Sequence, residues 1–234
     1  MASSTETTLG AKVANAEKIL TNLKAFVAYA PADATLSVAS LEELIKQIRN
    51  ANTTTASNIQ AYSEAVDKRQ ILFQKGDPSL IKILPLIGAA VRASFAKTSK
   101  EATNIANMIT KIRGAKAKNI SKDAAEATVS QSEKSYGSMT QNFSDMITTL
   151  ENYGAKYTPA NTEITIAALK DKLALLGDAN VAVTAAYGKQ KESRDDRAVL
   201  YTNLNVITQR IKDTVKSQYG QASTEYKLIK GLKI

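Results

Sequence analysis

From Val38 to Lys75 the chain runs without Pro or Gly, and its apolar positions Leu41, Leu44, Ile45, Ile48, Ile59, Tyr62, Val66 and Leu72 fall at helical spacing. They line one face of an α-helix, interrupted by a weakly polar patch from Thr53 to Ser57. At 1.5 Å per residue such a helix reaches about 55 Å, which predicts an elongated molecule. A second stretch repeats the stripe through Leu169, Leu173, Leu176, Ala179, Val183, Tyr187, Val199 and Leu200. Neither helix can bury its own stripe. Shorter helices over Leu9 to Tyr29 and roughly Lys122 to Tyr153 are expected to fold back on them, giving two helical hairpins in a four-helix layer. Ahead of the first long helix, the alternation of Leu36 and Val38 predicts a brief extended piece. Ser37 or Ser40 can cap the long helix, Ser40 and Glu43 having capping-box spacing.

The two stripes are copies of one pattern. At an offset of 128 residues, Tyr29 to Phe73 aligns without a gap to Tyr157 to Tyr201, with eleven identical pairs that include Tyr29/Tyr157, Pro31/Pro159, Leu41/Leu169, Asn52/Asn180 and Arg69/Arg197. Chance would supply roughly three or four. The offset then shortens to 124, which sets "VRASFAKTSKE" from Val91 against "VKSQYGQASTE" from Val215 and implies a four-residue insertion around "QKGDPSLIKIL". The pattern predicts a tandem duplication: a first repeat over 1–114, a basic connector over 115–122 and a second repeat over 123–234. The repeats are expected to pack together as one elongated domain with an approximate internal two-fold relation.

The duplicate serves as an internal control for the most apolar stretch, "LPLIGAAVRASFA" from Leu84 to Ala96. At the offset of 124, Ile83, Ile87 and Val91 match Ile207, Ile211 and Val215 and read as a shared core face. Elsewhere Leu84, Pro85, Leu86, Gly88 and Ala89 stand against Thr208, Gln209, Arg210, Lys212 and Asp213, so the first copy is expected to present an apolar outer face. Leu84, Leu86, Ala89, Ala90 and Phe95 are therefore the candidate self-association residues. A membrane span needs roughly 20 apolar residues, and this run is shorter and flanked by Lys82 and Arg92. Burial by the second copy or by a linker is the plain competing reading, and a membrane-inserting tongue over 83–96 is the alternative.

Composition narrows the chemistry. The 234 residues include no Cys and no His, which removes disulfides, thiolate and zinc-thiolate sites, the usual serine and cysteine triads and the commonest general base. The chain also lacks a P-loop, a G-x-G-x-x-G and a G-x-S-x-G. No catalytic residue, cofactor or metal ligand is expected. Few Pro and Gly with abundant Ala, Leu, Ile and Lys favour an all-α fold. The N-terminus has no basic leader before an apolar segment, so a cytoplasmic location is the expectation.

The net charge of +9 is uneven: residues 1–122 carry 17 Lys and Arg against 9 Asp and Glu, and the remainder 14 against 13. Lys111, Arg113, Lys116, Lys118 and Lys122 form a candidate polyanion contact, although no aromatic residues interleave with them for base stacking. Glu64, Asp67 and Arg69, with their duplicates Glu192, Asp195 and Arg197, are the most site-like polar group. Carboxylates three apart share a helix face, but a structural inter-helix network is the expected role, with each Arg reaching a neighbouring element.

The block "YTPANTEITIAALKDKLALLGDANVAVTAAYGKQKESRDDRAVLY", followed by "IKDTVKSQYGQASTEYKLIKGLKI", resembles an uncharacterised family of duplicated, all-helical bacterial proteins. That family carries Y-x-P-N-E before the long helix, R-x-x-x-L-Y at its end and a terminal S-x-x-Y-x-x-[IV]-x-G-[IL]-x-[FI]. Ala160-Asn161 stands here where Pro-Asn is usual. The resemblance covers nearly the whole chain and implies no established activity, so no functional residue is carried over. The combined expectation is a non-enzymatic structural or assembly protein that associates with itself, with a membrane-active helical protein and a nucleic-acid or polyanion binder as alternatives.

Overall fold

The computed structural model describes residues 4–114 and 135–234. Its described residues are all-α, with helices α1 (Ser4–Ala25), α2 (Val38–Gln70), α3 (Leu80–Phe95), α4 (Lys100–Arg113), α5 (Tyr136–Asn152), α6 (Ile166–Tyr219) and α7 (Thr224–Lys230). α2 winds down through a π-helical turn at Ile71–Lys75. Gly76 caps it by donating its N–H to the Ile71 carbonyl at 2.8 Å, and glycine is needed there because a Cβ would lie 2.7 Å from that oxygen. The Leu9 to Tyr29 expectation corresponds to α1 and the described part of the Lys122 to Tyr153 expectation to α5, residues 122–134 lying outside the described residues. α5 starts at Tyr136 behind its N-cap Ser135, whose Oγ accepts from the Ser138 N–H at 3.1 Å.

The chain forms two compact units. The first combines Met1–Ala61 with Tyr187–Ile234, and the second is Tyr62–Ala186, so α2 and α6 each supply a segment to both. These units do not follow the boundaries at 1–114 and 123–234: each pairs the opening part of one sequence half with the closing part of the other. The connector 115–122 lies outside the described residues.

In the first unit Ala16, Ile19 and Leu23 of α1 pack with Leu41, Ile45 and Ile48 of α2 and with Leu204, Ile211 and Val215 of α6. In the second, Ile83, Leu84, Ile87 and Val91 of α3 close on Ile105 and Ile112 of α4, Phe143 and Leu150 of α5, and Leu169 and Leu176 of α6. Each fully buried side chain of this kind contributes on the order of 1.5–3 kcal/mol relative to exposure. An aromatic pair stands at the matching junction in each. Phe26 meets Tyr219 with ring centroids 5.9 Å apart in the first unit, and Tyr153 meets Phe95 at 4.9 Å in the second.

The turns that start the long helices are built alike. No extended strand forms at Leu36 and Val38; a 3-10 turn over Ala34–Leu36 takes its place, because the Asp33 carboxylate accepts the Thr35 N–H at 2.8 Å and bends the chain. Asn161 does the same for Glu163 at 2.9 Å, opening the turn Thr162–Ile164. Tyr29 donates its hydroxyl to the Leu36 carbonyl at 2.9 Å, and Tyr157 donates to Ile164 at 2.8 Å. Ser37, rather than Ser40, caps α2 by accepting from the Ser40 N–H at 3.2 Å, and Thr165 caps α6 from the Ala168 N–H at 3.3 Å.

Pro85 sits inside α3. Having no N–H, it leaves the Ile81 carbonyl without its helical donor. The Arg113 guanidinium, from α4, donates to that carbonyl at 3.2 Å.

Candidate interaction surface

Where α3 packs decides which of its apolar residues are available. Leu84 is 0% exposed and belongs to the core of the second unit, which corrects its place on an outer face. Its counterpart Thr208 is buried as well, at 1%, and hides its polarity by donating to the Leu204 carbonyl at 2.7 Å. Gly88 is also inside: a Cβ would lie 3.1 Å from Ile109 Cδ1, so the missing side chain is what lets α4 approach. Phe95 is half-buried against Tyr153, with the Lys156 ammonium 5.7 Å from its ring centre, and Ala90 is half-buried too. Leu86, at 41%, and Ala89 do face solvent, together with Pro85 and Ala93, between the exposed Lys82 and Arg92. The outward face is real but narrower than the sequence suggested.

A second exposed face was missed. On α6, Asp171, Ala174, Leu175, Asp178, Val181, Ala182 and Ala185 are all exposed, Leu175 at 51% and Val181 at 68%. At the offset of 128 their counterparts on α2 are Glu43, Lys46, Gln47, Asn50, Thr53, Thr54 and Ser57, equally exposed and polar throughout. The signal was in the alignment. Reading it for exposed positions that turn from polar to apolar would have singled out Leu175 and Val181.

The first unit closes its corresponding surface with polar contacts. Arg210, the counterpart of Leu86, forms an ion pair with Asp33 at 2.6 Å. Gln218 holds Ala30 N–H and the Ala28 carbonyl, Lys212 donates to the Leu232 carbonyl, and the Tyr219 hydroxyl donates to Val27. Hydrogen bonds from Thr35, more than the Arg210 guanidinium, hold the Asp33 carboxyl down at about 2. Burial pushes the Tyr29 and Tyr157 hydroxyls up to about 12 and lowers the Lys172 and Lys212 ammonium groups. A groove of about 660 Å³ runs over Leu44 and Ile207 and is rimmed by Glu43, Gln47 and the same Arg210.

The other sequence candidates spread out. Lys111 is exposed at the end of α4, Arg113 is engaged by Ile81, and Lys116, Lys118 and Lys122 lie outside the described residues. Glu64, Asp67, Glu192 and Asp195 are exposed, while Arg69 and Arg197 are half-buried. Arg69 lies 4.2 Å over the Tyr136 ring, which itself packs edge-on against Phe73. Its Nε and the Asn180 Oδ1 are buried without a hydrogen-bond partner. In the first unit the matching Asn52 meets the Tyr201 hydroxyl at 3.0 Å, and Phe73 has no hydroxyl to offer Asn180. Among the described residues no group of three or more His, Cys, Asp or Glu is gathered to hold a metal ion.

A stretch within Val38–Phe95 is apolar enough to count as a candidate membrane span, with 39% of it buried. α3, the helix that ends this stretch, has 16 residues and by itself spans about 24 Å, against a hydrocarbon core of roughly 30 Å. Its inner row is occupied by the core of the second unit. No protein-family model, curated protein or solved structure matches the chain.

Proposed function

We propose that this chain is a non-enzymatic structural module, a tandem duplication whose second unit provides the surface for assembly with further copies. The observation that carries this reading is the pair of exposed faces on α3 and α6, apolar at positions where the first unit places Gln, Arg, Asp and Thr. Like construction of the two helix-start turns and of the two aromatic junctions supports the duplication. The absence of His and Cys from the sequence supports a role other than catalysis.

Light scattering on wild type and on Leu86→Asp tests the reading. Leu86 is exposed, so the substitution should leave helicity intact and lower the average mass at a concentration where wild type exceeds the 25.1 kDa of one chain. A wild type that stays at that mass at every concentration overturns the assembly role.

A further inference from the structure

The two exposed faces of the second unit share one spacing. Lys82, Leu86, Ala89 and Ala93 on α3 follow one another at intervals of four, three and four, and so do Asp171, Leu175, Asp178 and Ala182 on α6. Residues so spaced form a single ridge along a helix. All eight are exposed. The ridges match in their leucine and differ in charge. The α3 ridge is bounded by Lys82 and Arg92, whereas the α6 ridge carries Asp171 and Asp178.

We infer that assembly is heterotypic: the α3 ridge of one copy packs on the α6 ridge of a second copy. This rests on the proposed assembly role and names the surface that each copy meets. Pairing α3 with α3 would bring basic groups together, and pairing α6 with α6 would do the same for carboxylates; like charges face to face disfavour both. Laid side by side in the same direction, α3 and α6 bring Lys82 to Asp171, Leu86 to Leu175 and Arg92 within one turn of Asp178. Ala89, Ala93 and Ala182 leave room for the backbones to approach. Nearby charges do not cancel the match. Lys170 beside the acidic ridge is paired with Glu151 at 2.5 Å, and Lys172 donates to the Pro78 carbonyl. Asp77 lies 3.5 Å from Lys82 but is 84% exposed, so it is readily displaced. Each copy thus offers one basic and one acidic ridge, and such an interface joins copies in a closed ring or an open chain according to the rotation between them.

Charge exchange tests this with the full chain. Lys82→Glu with Arg92→Glu gives a variant acidic on both ridges, and Asp171→Lys with Asp178→Lys gives one basic on both. Each alone should show an association constant at least about tenfold weaker than wild type by sedimentation velocity at low salt, and the equimolar mixture should recover it to within about threefold. Recovery in the mixture also shows that both variants are folded. If wild type associates and either variant matches it alone, or if the mixture fails to recover while both retain wild-type circular dichroism, the α3–α6 pairing is wrong although assembly stands. If wild type itself never associates, the assembly role falls with it.

Discussion

The first and second units use like elements and finish their surfaces differently. Where the first sets Arg210 against Asp33, the second has Leu86 and Asn161; where the first ties Gln218 and the Tyr219 hydroxyl to the loop after α1, the second has Ser94 and Phe95. Lys212 reaches a carbonyl in one, and Gly88 admits Ile109 in the other. The same contrast holds on the long helices, where Gln47 and Thr53 give way to Leu175 and Val181. At the positions of α6 that match α3, the first unit satisfies its polar groups within itself. At the matching positions the second packs α4 against α3 and leaves Leu86, Leu175 and Val181 in solvent.

The largest test of this contrast separates two neighbouring leucines. Leu84→Asp puts a carboxylate in the core of the second unit and should cost about 4 kcal/mol or more, visible as lost cooperativity in urea melts. Leu86→Asp should change monomer stability by less than about 0.5 kcal/mol. Next in size is the helix defect at Pro85. Arg113→Ala should cost about 1 kcal/mol by removing the hydrogen bond to the Ile81 carbonyl, and clearly less once Pro85→Gln restores a backbone donor, as the first unit has at Gln209. A double-mutant cycle in urea reads that coupling; additive losses would sever Arg113 from Pro85.

Smaller effects lie in matching turns. Ala96 closes α3 with φ of 70°, where the counterpart Gly220 has φ of 93°. Ala96→Gly should raise stability by up to about 1 kcal/mol and Gly220→Ala should lower it by a similar amount, as thermal melts would show. The smallest expected effect is on pH. Asp33 has a folded value of about 2 against an ordinary 3.8, so its carboxylate stabilises the fold fully above the ordinary value, and that contribution is lost as pH falls from there through about 2. Asn161 does not titrate. Amide shifts between pH 5 and 2 should therefore move at Thr35 and not at Glu163, and Asp33→Asn should abolish the movement.

Much of this architecture was legible in the periodicity. α2 begins at Val38 and the stripe from Leu41 to Ile48 is buried, because a long uninterrupted helix with one apolar face has few alternatives. Other features depend on packing that no local pattern encodes. Leu84 lies one residue from Ile83, about 100° round the helix, and is buried only because α3 packs against several neighbours and hides a broad arc. Thr208, 124 positions on, made the position look exposed, since its hydroxyl is satisfied within its own helix. Tyr187 and Val199 fit the second stripe by spacing, yet are 54% and 68% exposed. The extended piece at Leu36 was displaced by a side-chain hydrogen bond from Asp33, which outweighs a two-residue alternation.

The most direct test of the unit-specific surface is hydroxyl-radical footprinting of the wild-type chain across a concentration series. Leu86, Leu175 and Val181 should lose reactivity as concentration rises, while Val206, equally exposed at 52% in the first unit, and Val27 keep theirs. Protection at Val206 with Leu86, Leu175 and Val181 unchanged would contradict the account.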